Sequence, residues 1–191
     1  MSEENATIEQ DTESLDGIVE ESVRFAKAYL ARKRELNLMI SGFTPEGGMH
    51  ILEMPVRDNR DKDNLITLAR VVFHREGVGR YVVMSESWVV LGMASQDTSV
   101  PPSESPDRKE VLMVFAFDNR GNSTGVMHEM LRNSKGRFKK LGGPIFQGGA
   151  DITKGRLADL LSPLARPTPS EEAWADERLH RHRVRPGKYL H

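Results

Sequence analysis

The chain has 191 residues, no cysteine, and 27 lysines and arginines against 28 aspartates and glutamates, for a formal charge of −1. That length suits one core of ordinary size plus tails, since single domains run to about 100–150 residues. The missing cysteines exclude disulfides, a thiolate nucleophile and thiolate metal ligands, and the balanced charge excludes a whole-molecule positive field of the kind that non-specific nucleic-acid binding uses.

Residues 1–14 carry Glu3, Glu4, Glu9, Asp11 and Glu13 with no basic residue and little that is apolar, which predicts a disordered acidic tail. From Ser14, a plausible N-cap, Leu15, Ile18, Val19, Ala26, Tyr29 and Leu30 recur at helical spacing and predict an amphipathic helix to about Arg34. A looser segment with Gly42, Pro45, Gly47 and Gly48 leads into a short strand, Met49–Met54, stopped by Pro55. Asp61 or Asp63 is expected to cap the next helix, whose stripe is Leu65, Leu68, Ala69, Val72 and Phe73 and whose stop is Gly77.

Two β-branched and aromatic runs, Arg80–Leu91 and Glu110–Phe117, flank a Pro/Ser-rich loop and read as the central strands of a buried sheet, with Trp88 expected in its packing layer, the alternative being a surface position that anchors a partner. Asp118–Asn122 has hairpin-turn chemistry, Ser123–Leu131 is the returning strand, and a turn at Asn133–Gly136 brings Arg137–Leu141 back as an edge strand whose Lys139 and Lys140 suit an exposed rim. Gly142, Gly143, Gly148 and Gly149 precede a short helix expected from about Thr153 to Leu161. Pro163, Pro167 and Pro169 mark a linker, and Ser170 caps a last helix through Leu179 ahead of a basic terminus.

This order predicts an α+β domain over residues 15–162, with a mixed, mainly antiparallel sheet of four to five strands and helices packed on one face. Residues 163–191 are then linker, short helix and basic tail. An acidic start without a basic, then apolar, leader, and no apolar run near the about 20 residues of a membrane helix, give the expectation of a cytoplasmic setting.

The strongest site candidate joins Glu86, set between Met84 and Trp88, with Asp107, Arg108, Lys109 and Glu110 at the next strand's entry and His128 on the neighbouring strand. Carboxylates and an imidazole converging at strand ends suit a divalent cation or acid–base chemistry. The structural alternative is an ion pair that fixes strand register, with Arg108 as the expected partner of Glu86 because a guanidinium grips a carboxylate bidentately. Pro106-Asp107 invites comparison with nucleases that use Glu-x-Lys, but no lysine lies two residues after Glu110. The glycines of 142–149 lack the Gly-Lys-Ser/Thr of a phosphate loop, and Ser85-Glu-Ser-Trp is not a nucleophile elbow. His180 and His182 are metal candidates with no third ligand at a recognisable spacing.

The blocks Tyr81–Trp88 and Pro102–Val114 resemble small uncharacterised bacterial and phage-type proteins that share a Ser-Glu-x-Trp strand, a Pro-Ser loop and an Arg-Lys-Glu strand entry. The resemblance covers about residues 25–142 and implies no activity, cofactor or catalytic residue.

The expectation is therefore a small, non-catalytic binding or accessory protein, bacterial or phage-related, with no cofactor and a protein partner. A metal-assisted hydrolase using Glu86, Asp107, Glu110 and His128 is one alternative. The other is a nucleic-acid-associated protein acting through Arg178, Arg181, Arg183, Arg185 and Lys188.

Overall fold

The computed structural model describes residues 14–32, 35–90, 102–149, 157–162 and 166–182. Six strands, β1 (Leu38–Phe43), β2 (Met49–Met54), β3 (Arg80–Val90), β4 (Arg108–Asp118), β5 (Ser123–Arg132) and β6 (Phe138–Gly148), form one open sheet in the order β2-β1-β3-β4-β5-β6. Among the described residues three α-helices complete the α+β fold: α1 (Leu15–Arg32), α2 (Asn59–Arg75) and α3 (Pro169–His182).

The sheet is larger than the four to five strands expected because β1 carries no alternation. It lies between β2 and β3 and is buried at five of its six positions, so Leu38, Met39 and Ile40 run on without the polar outward residues that mark a one-sided strand. Gly42 disguises it further, yet packing requires that glycine: a Cβ there would sit 2.5 Å from Cε1 of Phe73. All neighbouring strands are antiparallel rather than mixed. The β2-α2-β3 connection still joins two strands of like direction, but it passes over β1 instead of placing them side by side.

The helices cover both faces of the sheet, not one. On the first face α1 and the segment after it set Ile18, Val19, Ala26, Leu30 and Leu36 against Met39, Val82, Met84, Leu112, Val114 and Val126. On the second, α2 sets Leu65, Ile66, Ala69 and Phe73 against Ile40, Leu52, Tyr81, Val83, Phe115 and Phe117. The cause is legible in β3 and β4, where residues of both parities are apolar from Tyr81 to Met84 and from Val111 to Phe117, so either face left bare would expose a wide apolar surface.

Capping follows the sequence at one helix and departs from it at the next. Ser14 Oγ accepts from Gly17 N at 3.0 Å at the start of α1. At α2 the cap is Asp58 rather than Asp61 or Asp63, its carboxylate accepting from Asp61 N at 2.8 Å. The expected helix at 153–161 lies partly outside the described residues, and its described end, 157–161, consists of turns. Residues 1–13 and 183–191 also lie outside them.

The last helix is longer than expected and adds a third layer on α2. Arg70 pairs with Glu171 and Arg75 with Asp176, while Ala175 is fully buried beneath them. Among the described residues, His74 Nε2 and Arg70 Nε are both buried on α2 without a hydrogen-bond partner. Burial, and then the positive charges of Arg166 and Arg70, push the His74 imidazole below its usual range. Its folded pKa therefore lies below the unfolded value of about 6.5, so its contribution to stability is full above that pH and is lost as the pH falls through the folded value. Glu171, held low mainly by the Thr168 backbone N–H, stays ionised across this window and does not mask the change. The expected result is that, between about pH 7 and pH 5, the denaturation midpoint of the natural chain drops relative to that of His74→Gln, since every other titrating group is common to both. Parallel profiles would show that the imidazole takes up its proton at no cost to the fold.

Candidate functional site

Strand parity carries the site. On the α1 face, Val82 and Met84 of β3 are followed by Glu86 and Trp88, Leu112 of β4 is preceded by Glu110, and Val126 and Met130 of β5 are followed by Arg132. The helix runs from the Thr124 end, where Asp16 Oδ1 accepts from Thr124 Oγ1 at 2.8 Å, toward the Glu86 end, where the chain beyond it reaches Leu36. These polar residues thus occupy the strip of sheet that α1 leaves behind.

Arg132 is the partner of Glu86. Its Nη2 donates to Glu86 Oε2 at 2.8 Å and to Glu110 Oε1, and its Nε donates to Glu110 Oε2 at 2.7 Å, so one guanidinium clamps two carboxylates. The three side chains are only 15–21 % exposed. Glu86 Oε1 accepts from Leu36 N at 2.5 Å, which fastens the chain leaving α1 to β3. Burial raises the Glu86 carboxyl above the usual carboxylate range; the Leu36 N–H and Arg132 pull it back, while Glu110 and Glu35 push it further up.

Arg108, the partner expected from sequence, stands elsewhere. It lies opposite Val90, whereas Glu86 lies opposite Leu112, and four residues of strand separate the two rows by about 13 Å. Its guanidinium sits 4.9 Å from the Trp88 ring centroid, and Nη1 donates to Ser103 O at 2.7 Å. Trp88 itself is 43 % exposed rather than part of the packing layer. Trp88→Ala is accordingly expected to cost about 1–2 kcal/mol in equilibrium denaturation, instead of the 3–5 kcal/mol of a fully buried aromatic.

Around the clamp opens a cleft of about 560 Å³, lined by Glu35, Glu86, Trp88, Glu110, Arg132 and the Lys135–Arg137 turn. The turn is fixed by Asn133, whose Oδ1 accepts from Lys135 N at 2.9 Å and Arg137 N at 3.1 Å, while Gly136 supplies the positive φ of 71°. Arg132, Glu35, Lys135 and Arg137 were not singled out in the sequence. Extending the parity of Val126 and Met130 by two residues finds Arg132; the others follow from tertiary placement.

The remaining sequence candidates do not meet at this cleft. His128 lies opposite Leu112, as Glu86 does from the other side, so two strand spacings, about 10 Å, separate them. Its Nδ1 is 3.0 Å from Gly142 O, and since a carbonyl only accepts, Nδ1 carries the proton. The ring lines a separate groove of about 390 Å³ with Val19, Val23, Glu20 and Arg24 of α1. Asp107 is exposed in the turn before β4, its backbone N–H bound to Ser105 Oγ at 3.3 Å. Among the described residues no three histidines, aspartates or glutamates are grouped to hold a metal ion. The side chains of His180, Arg181 and His182, and residues Arg183, Arg185 and Lys188, lie outside the described residues, while Arg178 sits 5.3 Å from the Trp174 ring centroid.

Chemically, every oxygen of the Glu86 and Glu110 carboxylates accepts a hydrogen bond, from Arg132 or from Leu36 N. A cation would have to share these carboxylates with the Arg132 guanidinium, whose positive charge opposes it. The exposed indole and the rim cations, by contrast, are presented outward. No helix among the described residues is long and apolar enough to cross a membrane. Comparison of the chain with protein-family models, with curated proteins and with solved structures finds no match.

Proposed function

We propose that this chain is a non-catalytic binding module of the cytoplasm, an accessory protein of bacterial or phage type, whose recognition surface for a protein partner is the cleft at the Trp88 end of the sheet. The observation that carries the reading is the Trp88 indole, 43 % exposed and backed by the Arg108 guanidinium. A large aromatic held at the surface beside a charged cleft resembles the anchor of an interface, where tryptophan and arginine are enriched. The Arg132 clamp favours this over the hydrolase alternative, because it uses the carboxylates that hydrolysis would need.

The test is affinity capture of partners from the native host with the full chain and with Trp88→Ala, both confirmed folded by their melting curves. The expected result is a stoichiometric protein partner retained by the natural chain and lost by the variant. A partner held equally by both would place the interface elsewhere. A metal-dependent hydrolytic activity abolished by Glu86→Gln would replace the binding reading with the hydrolase one.

A further inference from the structure

We infer that the partner segment is an acidic peptide that lies across the β5–β6 turn, with its carboxylates on Lys135 and Arg137 and an apolar side chain against Trp88. The inference rests on the binding reading above and specifies its ligand.

Charge at this edge of the sheet is unbalanced. Lys135, Arg137, Lys139 and Lys140 are all exposed, and none of them has an ion-pair partner among the described residues. The carboxylates on the strands beside it are engaged: Glu86 and Glu110 by Arg132, and Glu129 by Lys109 at 3.3 Å. Among the described residues, only Glu35 brings a further exposed carboxylate to the cleft lining. Complementarity therefore calls for negative charge from the ligand, which raises association rate and selects against basic segments.

The same edge is pre-formed. The Asn133 side chain fixes the backbone that carries Lys135 and Arg137, and Ser103 and Trp88 fix Arg108, so few groups have to be ordered on binding. Lysines on a terminal strand also discourage edge-to-edge pairing, which accounts for Lys139 and Lys140 without a ligand. It does not account for Lys135 and Arg137, which stand in the turn beside the exposed indole.

A peptide fits better than a nucleic-acid strand. One aromatic, already stacked on an arginine, is no platform for successive bases. A backbone with a phosphate on every residue would also run across Glu35 and the clamped carboxylates, whereas a peptide can alternate charge with apolar side chains and send its carboxylates to the rim alone.

The experiment uses the full chain with Trp174→Phe, so that Trp88 is the sole tryptophan. It is titrated with a short glutamate-rich peptide carrying one leucine, with its glutamine and lysine counterparts, and with an oligothymidylate. The acidic peptide is expected to shift the Trp88 emission saturably. Its affinity should fall about tenfold or more in Lys135→Glu/Arg137→Glu, and should also fall with added salt. Both substituted residues are exposed, and an unchanged melting curve confirms that the variant is folded. Equal binding of the glutamine peptide overturns the acidic assignment and leaves the binding reading intact, as does silence toward every probe while host-partner capture still depends on Trp88. Tighter binding of the oligothymidylate than of the acidic peptide overturns it in favour of a nucleic-acid surface. Silence toward every probe together with capture that ignores Trp88 overturns both.

Discussion

Arg132→Met is expected to destabilise the protein by about 2–4 kcal/mol, somewhat below the 3–5 kcal/mol of a fully buried broken pair because the clamp retains 15–21 % exposure. The loss comes less from the missing attraction than from what remains: two carboxylates, largely shielded from water, on neighbouring strands with no cation between them. Glu86 is the weak point, since burial already raises its pKa and, among the described residues, Leu36 N would be its one remaining hydrogen-bond partner. A raised carboxyl pKa means that the folded state binds more protons than the unfolded one, so the variant should recover stability as the pH falls through the folded pKa of Glu86. Equilibrium denaturation of Arg132→Met between pH 7 and pH 5 measures both effects. Adding Glu86→Gln and Glu110→Gln should restore most of the loss, because the orphaned charges are gone. A cost below about 0.5 kcal/mol, independent of pH, would mean that water rather than Arg132 satisfies the two carboxylates.

Much of the fold was legible, and the misses share a physical cause. Amphipathic helices announce themselves through one apolar stripe, and α1 with its Ser14 cap stands where its periodicity placed it. The hairpin from β4 to β5 follows from turn chemistry at Asp118–Asn122, where the Asp118 carboxylate accepts from Arg120 N and Asn122 N. What periodicity conveys poorly is two-sided burial. It hid β1 behind Gly42, and it also hid the second helical face, although the unbroken apolar runs of β3 and β4 carried that information. The site shows the same division. Glu86 and Glu110 were visible as charges beside apolar strands, but their partner depended on register. Arg108 is nearer to them in sequence, whereas Arg132 reaches them from a strand that pairs with β4 from the other side. Trp88 was misplaced because an apolar strand was followed past the end of the helix that covers it.

The largest single effect is expected at Tyr81, which is fully buried where β3, α2 and the 157–162 segment meet. Its ring stacks on Phe117 at 5.0 Å and tilts against Phe73 at 5.8 Å, so truncation opens a cavity bounded by rigid aromatics that cannot collapse into it. Tyr81→Ala should cost about 4 kcal/mol, a large share of the 5–15 kcal/mol that holds a typical domain. The hydroxyl has a separable role. It donates to Leu157 O at 2.8 Å and accepts from Leu160 N at 3.4 Å, pinning a turn segment to the second face of the sheet. Burial pushes the phenol well above its usual range, so it remains a neutral donor at any working pH. Tyr81→Phe keeps the ring and leaves Leu157 O without its donor, for an expected cost of about 1–2 kcal/mol. Hydrogen exchange tells the two roles apart: in Tyr81→Phe the amides of 157–162 should lose protection before those of β3 and β4, because the lost bond fastens that segment and not the strands. Uniform loss across sheet and segment would instead make residues 157–162 an integral part of the cooperative core, held by Leu160 rather than by the tyrosine hydroxyl.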